Sequence, residues 1–96
     1  MIASFADKAT SDLFHGINSS KARRIPSQIK ETALYKLDVL NAAQNLDDLR
    51  SPPGNRLEPL KGDYSGKHSI RINSQWRIVF RWQGSNAHDV EIADYH

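Results

Sequence analysis

Apolar residues recur at helical spacing through the first half of this chain and at alternate positions through the second. Ile29, Ala33, Leu37 and Leu40 fall on one stripe of a helix. Pro26, with its fixed φ and missing N–H, suits the first residue of that helix. The spacing predicts helix to about Asn45, with one more turn over residues 46–49. Ahead of it, Asp7 is placed to cap a short helix through Leu13 and Phe14 that Gly16 ends. The run Ser51-Pro52-Pro53-Gly54-Asn55 predicts a loop, because two prolines remove two backbone donors and favour extended geometry. Beyond it the period falls to two. Residues 69–73 set Ile70 and Ile72 against Arg71. Residues 75–82 set Trp76, Ile78, Phe80 and Trp82 against Arg77, Val79 and Arg81, and residues 90–95 set Val90 and Ile92 against Glu91, Ala93 and Tyr95. Asn73-Ser74 and Gln83-Gly84-Ser85-Asn86 read as the turns between these strands, and a shorter strand is expected over residues 56–60.

Two helices followed by an antiparallel meander define an α+β class, in which the N-terminal helices cover the apolar face of the sheet. At 96 residues the chain is expected to build one core and to form a single domain over residues 1–96. With no cysteine, disulfides, thiol nucleophiles and Cys-based zinc or iron–sulfur sites are excluded, and four scattered histidines give little basis for a metal centre. No apolar run approaches the roughly 20 residues of a membrane span, and residues 1–20 lack the apolar core of a secretory leader, so a cytoplasmic protein is expected.

Charge changes this picture more than composition does. Residues 1–49 carry six Lys/Arg and six Asp/Glu, residues 50–82 seven against two, and residues 83–96 none against three. The net charges are therefore 0, +5 and −3. If the alternation holds, Arg71, Arg77 and Arg81 emerge on the sheet face turned away from the apolar stripe, with Arg56, Lys61 and Lys67 feeding in from the preceding segment and His68 adjoining. Such a face suits phosphate, since a planar guanidinium donates two parallel bonds to phosphate oxygens.

The chain ends in Asp94-Tyr95-His96, directly after a strand expected in the basic sheet. Metal-free RNA cleavage needs a base for the ribose 2′-OH proton, cations for the phosphorane, and an acid for the departing 5′-oxygen. His, Asp, Glu and Tyr can fill the proton roles, and Arg and Lys the electrostatic one. Tyr95 shares its parity with Glu91 and Ala93, so it is the aromatic expected to stack on an unpaired base. Trp76 and Trp82 share theirs with Ile78 and Phe80 and read as core. His15 closes the first helix, where a cation suits the helix dipole.

The segments Asn55-Arg56-Leu57-Glu58-Pro59-Leu60-Lys61-Gly62-Asp63, Ser69-Ile70-Arg71-Ile72-Asn73 and Gln75-Trp76-Arg77-Ile78-Val79-Phe80, with the terminal Asp94-Tyr95-His96, resemble a HigB-type toxin of the RelE superfamily. The likeness extends over nearly the whole chain. It implies a ribosome-dependent endoribonuclease that cuts messenger RNA in the decoding site, without metal or organic cofactor. It also implies a HigA-type helix-turn-helix antitoxin, through which the pair binds operator DNA. Carried over by matching position, Lys61, Arg77, Asp94, Tyr95 and His96 are the active-site residues. Arg77 and Lys61 stabilise phosphate charge, Tyr95 orients a base, and Asp94 and His96 take part in proton transfer or hold the site. Some relatives carry histidine where this chain has Glu58, which leaves open whether Glu58 acts as the base and His96 as the acid. Two other readings stay beside the enzyme: a basic sheet that blocks the ribosome sterically, and a co-repressor that tunes the antitoxin. The charge-balanced N-terminal helices are the expected antitoxin surface.

Overall fold

The structure, a computed structural model, describes residues 1–94. Its helical half follows from the caps. Asp7 is extended and its Oδ1 accepts from the Thr10 backbone amide at 2.8 Å, which starts α1 (Lys8–Phe14). Gly16 then takes a left-handed φ of 73°, a conformation glycine adopts without steric cost, and turns the chain away. Pro26 sits one position outside α2 (Ser27–Ala42), as its cap and not as its first residue. The stripe of α2 is buried as expected, with Ala33, Leu37 and Leu40 fully inaccessible. Each leucine so buried contributes about 1.5–3 kcal/mol of transfer free energy. Residues 46–49 do form a turn, the 3-10 segment Leu46–Arg50, closed by reciprocal bonds between Asn45 and Asp48.

The other half is a four-stranded antiparallel meander in the order β1 (Glu58–Pro59), β2 (His68–Arg71), β3 (Trp76–Gln83), β4 (Asn86–Asp94). The strand expected over residues 56–60 shrinks to two residues, because Arg56 is left-handed at φ 45° and Pro59 has no amide to extend a ladder. β4 starts four residues earlier than the 90–95 expected from alternation. Between Val79↔Glu91 and Arg81↔His88, β3 advances two residues and β4 three. This bulge holds Asp89 at φ 53° and shifts the apolar parity from Ala87 to Val90.

Ile70, Ile78, Phe80, Ala87 and Val90 meet Leu13, Ile29, Leu37, Leu40 and Leu49 in the core, and Trp76, Trp82 and Ile92 pack on it from the same sheet face. Residues 1–6 run parallel beside the outer edge of β4, through Ala3 N–H to Ala87 O (2.7 Å), Val90 N–H to Ser4 O (3.1 Å) and Ala6 N–H to Val90 O (2.9 Å). Thr10 of α1 prolongs this cover, its Oγ1 accepting from Ile92 N–H at 3.0 Å. An edge that would otherwise expose unpaired backbone is thus closed by the start of the chain. No helix among the described residues is long and apolar enough to cross a membrane.

Candidate active site

Strand pairing decides which side chains share the face opposite the helices. Glu58 pairs with Ser69, Ser69 with Val79, and Val79 with Glu91, while Arg71 pairs with Arg77 and Arg77 with Ala93. These residues, with Arg81, therefore stand on one face. Val79, fully buried there, forms an apolar floor between Ser69 and Glu91.

Arg77 is the organising group. Its side chain is only 11% exposed. Nε donates to Ser69 Oγ at 2.6 Å and Nη2 donates to the Arg56 carbonyl at 2.6 Å, so both positions on one edge of the guanidinium fork are engaged. Glu58 Oε2 lies 3.7 Å from Nη2 on a half-exposed side chain. A cation gripped this way has a fixed plane and needs no reorganisation when charge builds beside it. Arg71 stands directly across from Arg77, and like charges placed so repel.

Arg81 lies further along, bonded to Gln83 Oε1 at 2.7 Å and to Asp89 Oδ2 at 3.4 Å. Lys67 has its Nζ 5.7 Å from the centre of the Tyr64 ring, and its charge acts on Glu91. Burial raises the Glu91 carboxyl, Lys67 opposes this, and Asp7 and Asp89 reinforce it. Lys61 and Arg56 are exposed, Lys61 at the entry to the Gly62–Tyr64 turn.

Two expected residues are not brought to this face. His68 has the opposite parity, stacks on Phe80 at 6.3 Å between ring centres, and leaves a buried Nδ1 without a hydrogen-bond partner. Burial, then the charge of Arg50, lowers its pKa, which favours the neutral ring at this edge of the core and away from the arginine face. Asp94 pairs with Trp76 and accepts from Gln75 Nε2 at 2.9 Å, on the parity of Ile92. Tyr95 and His96 lie outside the described residues. His15 closes α1 with Nδ1 2.7 Å from the Ser11 carbonyl, its ring against Phe5 and Phe14. Among the described residues, no group of three or more His, Asp or Glu could hold a metal.

Sequence reasoning overlooked Ser69, Glu91 and the Arg56 carbonyl. The first two share the parity of Arg71 and Arg77, so the alternation already carried that signal. The third depends on a left-handed backbone that no pattern of side chains announces.

The fold recurs in the YoeB–YefM toxin–antitoxin heterotetramer from Staphylococcus aureus, with a TM-score of 0.60 and 14% identity over 100% of this chain and 98% of that one. Sequence comparison then specifies the class as the RelE-like toxins of type II toxin–antitoxin systems. The family model described as RelE-like toxin of type II toxin-antitoxin system HigB matches residues 3–96. Toxin HigB-1 of Vibrio cholerae is 43% identical over 82 residues, 85% of this chain and 84% of its own. Endoribonuclease HigB of Proteus vulgaris is 32% identical over 97 aligned positions spanning 100% of both. The chain belongs to the HigB-like toxin family.

Proposed function

We propose that this toxin is an endoribonuclease that cuts messenger RNA in the ribosomal A site, needs no metal, acts in the cytoplasm, and is neutralised by a HigA-type antitoxin through which the pair reaches operator DNA. The observation that carries the reading is the fixed Arg77 guanidinium, held by Ser69 and the Arg56 carbonyl opposite Arg71. The Proteus vulgaris relative, named as an endoribonuclease, supports it.

In this reaction a base removes the 2′-OH proton, the 2′-oxygen attacks phosphorus, and the bond to the 5′-oxygen breaks as that oxygen receives a proton, leaving a 2′,3′-cyclic phosphate. Arg77 holds the non-bridging oxygens as they gain charge, with Lys61 and Arg71 beside it. Glu58, 3.7 Å from Arg77, is the base, and His96 supplies the leaving-group proton. Asp94 braces the chain end, and Tyr95 stacks a base of the message. Arg56, Lys67 and Arg81 hold flanking phosphates. A ribosome that presents the message splayed supplies orientation worth on the order of 7–11 kcal/mol, so free RNA is cut poorly.

The antitoxin is placed on the opposite layer. A groove of about 210 Å³ between α1 and α2, lined by Leu13, Ile17, Ala22, Lys30 and Leu34 among others, lies on the helix side of the sheet. Lys30→Glu is expected to weaken antitoxin binding, whereas Arg81→Glu leaves it intact; the reverse pattern overturns this placement.

The deciding experiment expresses the chain from a tight promoter beside Arg77→Ala, His96→Ala and Glu58→Ala and maps transcript 5′ ends. Cleavage inside translated frames that disappears with Arg77→Ala, and that persists in a purified translation mixture after a chelator titration which spares the ribosomes, supports the reading. Growth arrest with intact transcripts, indifferent to these variants, replaces it with steric blocking of the ribosome. The carboxylate at Glu58, in place of the histidine some relatives carry, is the feature that favours that alternative.

A further inference from the structure

Asn55 is an inaccessible polar side chain in an exposed, proline-rich loop. Burying an amide there is unfavourable unless each polar atom is bonded. Nδ2 donates to the carbonyls of Leu49 and Ser51, both at 3.3 Å, and Oδ1 accepts from Lys36 Nζ of α2. The amide thus ties the helical layer, the 3-10 turn Leu46–Arg50 and the proline loop at one point. Lys36 reaches it despite a cost: burial, and then the charge of Arg71, lower its pKa.

The next residue shows what the tie holds. Arg56 sits at φ 45° and ψ 58°, a left-handed conformation that non-glycine residues rarely adopt and that persists only where its surroundings impose it. Asn55 N–H to Pro52 O (2.9 Å) and Arg56 N–H to Pro53 O (3.1 Å) give the local turn. The amide of Asn55 fixes that turn to the body of the protein. In this conformation the Arg56 carbonyl meets Arg77 Nη2 at 2.6 Å.

We infer that Asn55, anchored by Lys36, is a positioning residue for the Arg77 guanidinium, acting through the backbone of Arg56. Neither side chain touches RNA in this role. The inference rests on the ribonuclease reading for its effect on rate, but the immobilisation of Arg77 is a property of the protein alone.

Two measurements separate those parts. The first is solvent exchange of the Arg77 Nε–H by NMR on the intact toxin. Asn55→Ala is expected to speed it severalfold while the Thr10 and Ile92 amides, on the far side of the sheet, keep their wild-type exchange. Lys36→Met is expected to give a smaller acceleration with the fold intact, and Lys36→Arg, which retains a donor, to restore the slow exchange. Unchanged exchange in both Asn55→Ala and Lys36→Met overturns the inference whatever the toxin does to RNA. The second is message cleavage in a translation mixture. Displacing a catalytic group by about 1 Å costs on the order of 100-fold, so Asn55→Ala should lower kcat by about 10- to 100-fold with little change in KM. In the residual cleavage that an Arg77→Ala background retains under single-turnover conditions with excess toxin, below the reach of transcript mapping, the same substitution should cost nothing further. Equal losses in both backgrounds mean a merely structural role and overturn the inference. Absence of cleavage by the wild type, with slow Nε–H exchange that Asn55→Ala relaxes, defeats the ribonuclease reading and sustains the positioning of Arg77.

Discussion

Arg77→Lys separates charge from geometry at the centre of the candidate site. The substitution keeps one positive charge in the same place but replaces a planar fork with a tetrahedral ammonium. Arg77 uses one edge of its fork for two 2.6 Å bonds, to Ser69 Oγ and to the Arg56 carbonyl. Lysine can meet one of these at good geometry, not both from a fixed plane. Losing one charge-assisted bond next to the buried Ser69 costs about 1.5–3 kcal/mol, and repulsion with Arg71 persists because the charge stays in place. A loss of about 1.5–3 kcal/mol is therefore expected, and each kcal/mol lowers the melting midpoint of a domain this size by about 4–8 °C. The effect on rate is larger. Removing a preorganised donor to a developing oxyanion costs on the order of 100- to 1,000-fold, and the lysine variant should lose most of that. Net charge is unchanged, so the dependence of RNA binding on salt should keep the wild-type slope. The assay pairs single-turnover cleavage of a ribosome-bound message with binding to a non-cleavable oligonucleotide over a salt series. If Arg77→Lys cleaves within about threefold of wild type, the fork geometry is irrelevant and the argument from preorganisation fails.

Three further outcomes follow from groups away from that centre. Asp12, buried, accepts from Ser19 Oγ at 2.6 Å and from Lys8 Nζ at 3.1 Å, and the Ser19 bond leads in lowering its pKa from 3.8. A carboxylate depressed on folding contributes stability that is present above pH 3.8 and lost as pH falls below it, so Asp12→Asn should flatten the acid limb of a stability–pH curve in that window. Glu91 is raised from 4.5, chiefly by burial, so its contribution runs the other way: folding loses stability as pH climbs through and above that value. Glu91→Gln should therefore raise the melting midpoint at neutral pH and tighten RNA binding, and a lower midpoint would refute the sign. Thr10→Val preserves shape but leaves the Ile92 amide without its acceptor, which should cost about 1–3 kcal/mol and expose that amide to hydrogen exchange; an unchanged denaturation midpoint would show that water replaces the bond.

Elements whose period matches one regular structure were legible in the sequence. The stripe Ile29, Ala33, Leu37, Leu40 and the alternation through Trp76, Ile78, Phe80 and Trp82 each report burial on a single face, and the structure buries or packs those faces. The arginine face was legible for the same reason, as the complement of the apolar one. Legibility ended where parity breaks. The bulge at Asp89 inserts a residue, so Ala87 and Val90 face the core three positions apart and the start of β4 does not alternate. His68 has a polar side chain at an inward parity, so composition placed it outside and register placed it against Phe80. The tie at Asn55 joins its own loop to Lys36, 19 residues back on α2, and its effect on Arg77 passes through a carbonyl that every residue possesses. That kind of information is absent from residue types.

The pairing of residues 1–6 with β4 also imposes a timetable. Ser4 bonds the Val90 amide, so residues 1–6 must wait for more than eighty further residues before their partner exists. At roughly 5–20 residues per second, translation takes on the order of 4–17 s to cover that distance. β4 follows the strands that carry Arg71, Arg77 and Arg81, and its outer edge is closed only by residues 1–6. During synthesis the helices and the first three strands therefore exist before this edge can be sealed, so the closing of the sheet is a late, long-range step in folding and not a local one.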